Sequence, residues 1–142
     1  MVDEKTVLSL LQELERRLER LYSLSNTSVK TLVEDASIRD QVERNLEVAI
    51  QCCIDLGTHL LASMGGPSPE SYRDVFVSLG SLGVIDDTLS ESLARMAGFR
   101  NVLVHGYLTL DPRRMHESLN RISDIRGFVE AVVHYIEAQK KE

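Results

Sequence analysis

The stretch Ser37–Met64, SIRDQVERNLEVAIQCCIDLGTHLLASM, decides the fold of this chain. Apolar residues recur along it at intervals of three or four, which is the period of an α-helix. They are Ile38, Val42, Leu46, Ala49, Cys53, Leu56, Leu60 and Met64. No proline interrupts the stretch, and Gly65-Gly66-Pro67 follows it as a stop signal. The sequence therefore predicts one amphipathic helix of about seven turns against which the other helices pack.

Start signals predict shorter helices on both sides of this one. Ser68-Pro69-Glu70 is typical of a helix start, with serine as N-cap and proline in the first turn. Thr88-Leu89-Ser90-Glu91 is a capping box that predicts a fourth helix, and Asp111-Pro112 predicts one last helix running into the polar tail. A short helical turn is predicted at residues 29–35. The apolar stripes are Val7, Leu11, Leu14, Leu18 and Leu21 in the first helix, Tyr72, Val75, Phe76 and Leu79 in the third, and Met115, Leu119, Ile122, Val129, Val133 and Ile136 in the last.

Composition assigns the chain to the all-α class. Hydrophobic residues make up 43% and charged residues 27%, which is typical of a globular protein and excludes intrinsic disorder. Only three prolines occur, aromatic residues are 5%, and no segment alternates apolar and polar residues with the period of a strand. A length of 142 residues suits a single domain covering residues 1–142. We expect an up-and-down four-helix bundle with an extra short helix.

The charge of the chain is unevenly distributed. Its net charge of −6 argues against a protein that coats nucleic acid through bulk electrostatics. The segment from Arg95 to Arg126, however, contains six arginines and three acidic residues. Its charge is therefore +3, and the rest of the chain has a charge of −9. This segment either forms a basic face that attracts phosphates or consists of solvated helix surface.

Other features of the sequence are less specific. No apolar run reaches the roughly 18 residues of a membrane span, and the N-terminus MVDEKTV lacks a signal pattern, so we expect a soluble cytoplasmic protein without a membrane partner. Cys52 and Cys53 are adjacent, which predicts buried reduced thiols rather than a disulfide. Asp55 and His59, four residues apart, are interpreted either as a solvated local pair or as part of a polar site.

The polar residues of RNVLVHGY, Arg100–Tyr107, stand in an otherwise apolar run. At about 100° per residue, Arg100 and Tyr107 share the apolar face of their helix, whereas His105 lies about 140° from Arg100. Two arrangements would bring them together. Gly106 could end the helix and let His105 swing round, or the site could lie between two bundles and use both faces.

Arginine and histidine together can cleave RNA without a metal ion. The guanidinium is permanently charged and its planar fork fits a phosphate, while imidazole exchanges protons near neutral pH. Histidine would move a proton on or off a ribose or leaving oxygen, and arginine would stabilise charge developing on phosphorus. The sequence contains no metal-ligand spacing, glycine-rich phosphate loop or nucleophile elbow, so no metal and no cofactor is predicted.

RNVLVHGY resembles the R-N-x-L-V-H-x-Y signature of the HepT-like proteins, a family of HEPN-domain proteins. The resemblance extends, in the same order, to QVERNLEVAIQCCIDLGTHLLAS, to PSPESYRDVFVSLGSLGVI and to RISDIRGFVEAVVHYI. It implies a small helical bundle that dimerises with the two motifs facing a shared cleft. It also implies a metal-independent endoribonuclease, the toxin of a type VII toxin-antitoxin pair of the MntA/HepT kind.

The same resemblance implies a role for each motif residue. Arg100 and His105 correspond to the catalytic arginine and histidine of the family, and Asn101 to the polar position beside the arginine. Tyr107 corresponds to the active-site tyrosine to which a cognate minimal nucleotidyltransferase antitoxin adds AMP, which silences the nuclease. The expected partners are therefore a second copy of the chain, this antitoxin and an RNA substrate.

Two alternatives remain open at the level of the sequence. The first is a non-catalytic HEPN module that binds a nucleotidyltransferase or a nucleotide through the same cleft, which the acidic net charge favours. The second is a dimeric bundle without an active site, which predicts that Arg100 is salt-bridged and shielded from solvent.

Overall fold

The predicted long helix is present, and six further helices surround it in the part of the chain that the structure describes. A computed structural model describes residues 2–105 and 111–141, with only the backbone at position 105. The helices are α1 (Glu4–Ser23), α2 (Val29–Glu34), α3 (Ala36–Ser63), α4 (Tyr72–Ser81), α5 (Asp87–His105), α6 (Pro112–Leu119) and α7 (Ile122–Lys140). The described ranges contain no strand. The all-α bundle predicted from the sequence is confirmed.

Helix α3 lies at the centre of the bundle, and its apolar stripe is the surface on which the other helices pack. Each of the other six helices contacts it, and its predicted stripe is buried from Val42 to Leu60, whereas Ile38 and Met64 at its two ends are only partly buried. Gly57 lies where α4 approaches closest, because a Cβ added there would be 2.5 Å from Cγ1 of Val75. The absence of a side chain at this position therefore sets the spacing of α3 and α4.

The core is joined across the bundle by two phenylalanines. Phe76 of α4 and Phe128 of α7 pack edge to face with ring centroids 5.5 Å apart, and both are almost fully buried. The hydroxyl of Ser90 on α5 donates a hydrogen bond of 2.8 Å to the backbone carbonyl oxygen of Phe76. Gly80 makes this contact possible, since a Cβ there would be 2.7 Å from Oγ of Ser90.

The predicted starts of the third and fourth helices were wrong by a few residues. The N-cap of α4 is Ser71, whose hydroxyl accepts the N–H of Asp74 at 3.2 Å, and not Ser68 with Pro69. Helix α5 begins at Asp87, and the side chain of Asp86 accepts the N–H of Leu89 at 2.8 Å, so the predicted capping box at Thr88 is not used. In both segments several adjacent residues are good caps, and tertiary packing selects among them.

The predicted last helix was wrong in a different way, because it is broken in two. Asp111 caps α6 and Pro112 opens it, as expected. The helix ends at Leu119, where the N–H of Arg121 bonds to the carbonyl of Ser118 in a tighter turn, and α7 begins at Ile122. The apolar spacing of three and four continues across this junction, so periodicity alone could not reveal it.

The two cysteines are free and buried, as the sequence predicted. Burial raises the pKa of the Cys52 thiol to about 11, and it also raises the pKa of Cys53. Asp55 and His59, which the sequence left as either a local pair or part of a polar site, have different hydrogen-bond partners. The amide of Gln51 donates to Asp55 at 2.8 Å, while Nε2 of His59 accepts the backbone N–H of Asp3 at 3.1 Å and so ties the start of α1 to α3.

None of the described helices is long and apolar enough to cross a membrane.

Candidate active site

Helix α5 carries the first part of the motif, Arg100–His105, on its last turns. Its inward face is formed by Leu93, Met96 and Leu103, all buried against the bundle. Arg100 lies at the edge of this face and is partly buried, whereas Asn101 is exposed. The helix thus presents the arginine at the boundary between core and solvent, as its shared face with the apolar residues predicted.

The guanidinium of Arg100 is held by an aromatic ring and not by a carboxylate. Its Cζ lies 5.3 Å from the ring centroid of Tyr72, and Nη1 donates a hydrogen bond of 3.3 Å to Oδ1 of Asn101. Its Nε is buried without a hydrogen-bond partner among the described residues, and no carboxylate in that part of the chain forms an ion pair with it. The salt-bridged arginine expected of an inactive bundle is therefore not observed.

His105 remains on the helix. Because α5 is helical through this residue, the backbone keeps positions 100 and 105 on faces about 140° apart. The suggestion that a helix end lets His105 swing round therefore finds no support in the backbone before position 106. Gly106 and Tyr107, and the side chain of His105, lie outside the described residues.

Tyr72 is a site residue that the sequence analysis did not identify. It was assigned to the apolar stripe of the third helix, but its side chain is 38% exposed. The cap at Ser71 places it in the first turn of α4, which packs on α5 and brings the ring to Arg100. An attraction of this kind contributes about 0.5–1 kcal/mol at an exposed position. Only the packing of α4 on α5 reveals the contact.

The six arginines between residues 95 and 126 do not form one face. Arg126 makes a two-pronged ion pair with Glu15 on α1, with Nη2 and Oε2 3.0 Å apart, and this hydrogen bond lowers the pKa of Glu15. Arg113 is exposed on α6. Arg95, Arg114 and Arg121 instead line one pocket, so the basic segment is divided between a structural pair and a local cluster.

The residues around Arg100 can bind an anion. A guanidinium without a carboxylate partner, partly buried and oriented by an aromatic ring, is suited to hold a phosphate. Among the described residues there is no group of three or more His, Cys, Asp or Glu side chains arranged to hold a metal ion.

The chain is similar to a known protein family and to two nucleases. The family model described as "Ribonuclease HepT-like" matches residues 4–132. The chain is 32% identical over 101 residues to the mRNA nuclease HepT of Shewanella oneidensis, covering 70% of this chain and 75% of that protein. It is 26% identical over 110 residues to the tRNA nuclease HepT of Aphanizomenon flos-aquae, covering 78% and 75%.

A solved structure shares the fold. The tri-AMPylated HEPN toxin of Shewanella oneidensis in complex with its MNT antitoxin superimposes with a TM-score of 0.83, at 23% identity over 93% of this chain and 99% of that chain. This likeness shows that the chain has the same helical-bundle fold. The chain belongs to the HepT-like family.

Proposed function

We propose that this protein is a metal-independent endoribonuclease, the toxin of a type VII toxin-antitoxin pair, acting in the cytoplasm. The observation that carries the proposal is the guanidinium of Arg100, which no described carboxylate neutralises and which lies at the edge of α5 five residues before His105. The names of the related nucleases support RNA as the substrate. One of these relatives is named for mRNA and the other for tRNA.

Each motif residue receives a distinct role in this proposal. Arg100 binds the scissile phosphate and stabilises the charge that develops on it, and His105 transfers a proton to or from an oxygen of the scissile bond. Asn101 supports Arg100 through the hydrogen bond from Nη1. Tyr107 lines the site. The nucleophile is the 2′-hydroxyl of the substrate ribose, which loses its proton as it bonds to phosphorus, while the bond from phosphorus to the 5′-oxygen breaks and that oxygen gains a proton. Histidine supplies proton transfer and arginine supplies charge stabilisation.

The active protein in this proposal is a homodimer. One α5 helix directs positions 100 and 105 to different faces, so a single chain does not readily direct both side chains at one phosphate. In a symmetric dimer the same patch of each chain faces the other. A cleft between two α5 helices would then contain Arg100 of one copy near His105 of the other.

Regulation of this nuclease is proposed to occur at Tyr107 through a minimal nucleotidyltransferase antitoxin. The related toxin structure, which is AMPylated and bound to an MNT antitoxin, supports this partner. An added AMP would place a negatively charged phosphate where the substrate phosphate binds and would block it.

The intact mass of the protein tests this regulation. After co-expression with a minimal nucleotidyltransferase, we expect mass increments of whole AMP groups in the unmodified sequence and none in Tyr107→Phe. The protein that carries AMP should no longer cleave RNA. The matched control is Tyr22→Phe, an exposed tyrosine on α1, which should keep the increments. Increments that persist in Tyr107→Phe would place the modification elsewhere.

Tyr72 is proposed as a positioning residue for Arg100. Tyr72→Ala removes the ring over the guanidinium and should lower kcat about two- to fivefold, because an exposed cation–π contact contributes about 0.5–1 kcal/mol. Tyr72→Phe keeps the ring and should restore the rate. Cleavage kinetics of both variants, with melting temperature as the control for folding, check this. Equal rates for Tyr72→Ala and the unmodified protein would exclude the role.

A non-catalytic module that binds a nucleotidyltransferase through the same cleft is the second candidate, favoured by the net charge of −6. Co-purification with the nucleotidyltransferase, together with no cleavage of any RNA by unmodified protein, would select it over the nuclease.

A further inference from the structure

A second cluster of arginines lies close to Arg100, where α5, α6 and the start of α7 meet. These helices enclose a pocket of about 160 Å³, several times the roughly 30 Å³ that a water molecule occupies in the liquid. Its rim carries Arg95 of α5, Arg114 of α6 and Arg121. Phe99, which immediately precedes Arg100 in the chain, forms part of its floor.

Arg114 is held in a defined orientation. Its Cζ lies 4.7 Å from the ring centroid of Phe99, and Phe99 is buried, with 2% of its surface exposed. A planar guanidinium stacked on a fixed ring keeps its N–H groups free to bind a ligand. Neither Arg114 nor Arg95 forms an ion pair with any carboxylate among residues 2–105 and 111–141.

Two carboxylates moderate the charge of the pocket without cancelling it. Glu117 lies on the rim. Asp124 is 3.8 Å from Arg121 and also accepts the hydroxyl of Ser92 at 2.5 Å, so it is already engaged by two groups. Three arginines against two carboxylates leave the pocket positive on a chain whose net charge is −6. A positive pocket on an acidic protein selects for an anion at this position.

We infer that this pocket is a second phosphate subsite, which binds the backbone of a single-stranded RNA one or more nucleotides away from the bond held at Arg100. This inference rests on the proposed ribonuclease function and extends it. Arginine forks bind phosphate oxygens in pairs, and single-stranded nucleic acid is commonly held by cationic grooves that contain aromatic rings.

The position of the pocket favours the substrate as its ligand. Arg95 and Arg100 are five residues apart on one helix, which separates them by about 7.5 Å along its axis and by about 140° around it. Phe99, which also lines the pocket, is the residue directly before Arg100. A strand that curves around α5 can therefore contact both the pocket and Arg100. Two phosphate contacts would also hold the strand in register, so that one particular bond lies at Arg100.

Binding of a fluorescent single-stranded RNA oligonucleotide tests the subsite. The parent is the full chain with His105→Ala, which should bind RNA without cutting it. Adding Arg114→Ala should weaken binding about tenfold and should reduce the slope of log K against log salt by about 0.7, the value for one lost phosphate contact on a single strand. Arg95→Ala should act in the same direction.

Arg113→Ala is the matched control. Arg113 is the neighbour of Arg114 on the same helix and both are exposed, but Arg113 does not line the pocket. Both substitutions therefore remove one charge from the same part of the surface. We expect less than about a twofold change for it, since diffuse attraction depends weakly on one surface charge. Circular dichroism and melting temperature report whether each variant is folded.

The outcomes separate this inference from the proposed function. Equal loss of affinity in the Arg113 and Arg114 variants would indicate diffuse attraction and overturn the subsite, as would unchanged affinity in the Arg114 variant while the protein with His105 still cuts RNA. Selective loss in the Arg114 and Arg95 variants, with no cleavage by the unmodified protein, would support the subsite and reject the ribonuclease. A parent that binds no RNA would overturn the subsite, and no cleavage by the unmodified protein in addition would overturn both.

Discussion

Arg100→Ala and His105→Ala should each reduce RNA cleavage by about 10²–10⁴-fold, the range for losing a charge-stabilising donor or a general acid–base group. Arg100→Ala should remain folded, because Arg100 forms no ion pair with a described carboxylate and is only partly buried. Cleavage of total RNA in the presence of EDTA, with circular dichroism as the folding control, measures the effect. Two variants that cleave at the unmodified rate would reject the assigned mechanism.

Mixing the two inactive variants distinguishes a site within one chain from a site shared between two. If Arg100 of one copy acts with His105 of the other, a dimer of the two variants contains one intact site. Random pairing makes half of the dimers mixed, each with one of its two sites, so about a quarter of the activity should return. The mixture should remain inactive if both residues act from the same chain.

The structural reason for expecting this recovery is the helical backbone of α5 through His105. The control is a mixture of Arg100→Ala with an Arg100→Ala, His105→Ala double variant, which contains no chain with Arg100 and should give no recovery. Subunit exchange must be verified separately, for example by a size-tagged chain that co-purifies with its untagged partner.

The largest effect on stability is expected from Phe128→Ala. The ring is fully buried and packs edge to face on Phe76 at 5.5 Å, so its removal leaves a cavity where α3, α4 and α7 meet. The free energy of unfolding should fall by about 3–5 kcal/mol, a large part of the roughly 5–15 kcal/mol that holds a domain together.

Urea unfolding at one fixed protein concentration measures this change, because a dimer makes apparent stability depend on concentration. Val133→Ala on the same helix is the control. Val133 is 37% exposed, so its truncation should cost less than about 1 kcal/mol. A Phe128→Ala protein as stable as this control would show that the phenylalanine contact does not hold the helices together.

The fold was predictable where one strong local signal determined it. The apolar period over residues 37–64 predicted α3 almost to its ends, and Asp111-Pro112 predicted the start of α6. The start of α5 was missed because Asp86 and Thr88 are both good caps, and the free-energy difference between such caps is about 1 kcal/mol or less. The contact of Ser90 with Phe76 joins α5 to α4. A pattern within the α5 segment therefore could not predict it.

The candidate site was predictable in part for the same reason. Arg100 at the edge of the apolar face follows from the helical angle, and the roles of the motif residues came from resemblance. Tyr72 could not be placed, since its contact with Arg100 joins residues of two different helices that are 28 positions apart in the sequence. The arginine pocket also depends on the break between α6 and α7, where Arg121 lies. This break could not be predicted, because the apolar period continues across it.

The contact between α1 and α7 limits when the chain can fold during its synthesis. Glu15 and Arg126 are bound to each other across 111 positions of sequence, and the core of the bundle includes Phe128 and Val132 of α7. Contacts so distant in sequence form only after both partners have left the ribosome. The motif in α5 is synthesised earlier than α7, so a nascent chain carries it before the bundle that supports it is complete. Assembly of the site therefore waits until α7 has been synthesised.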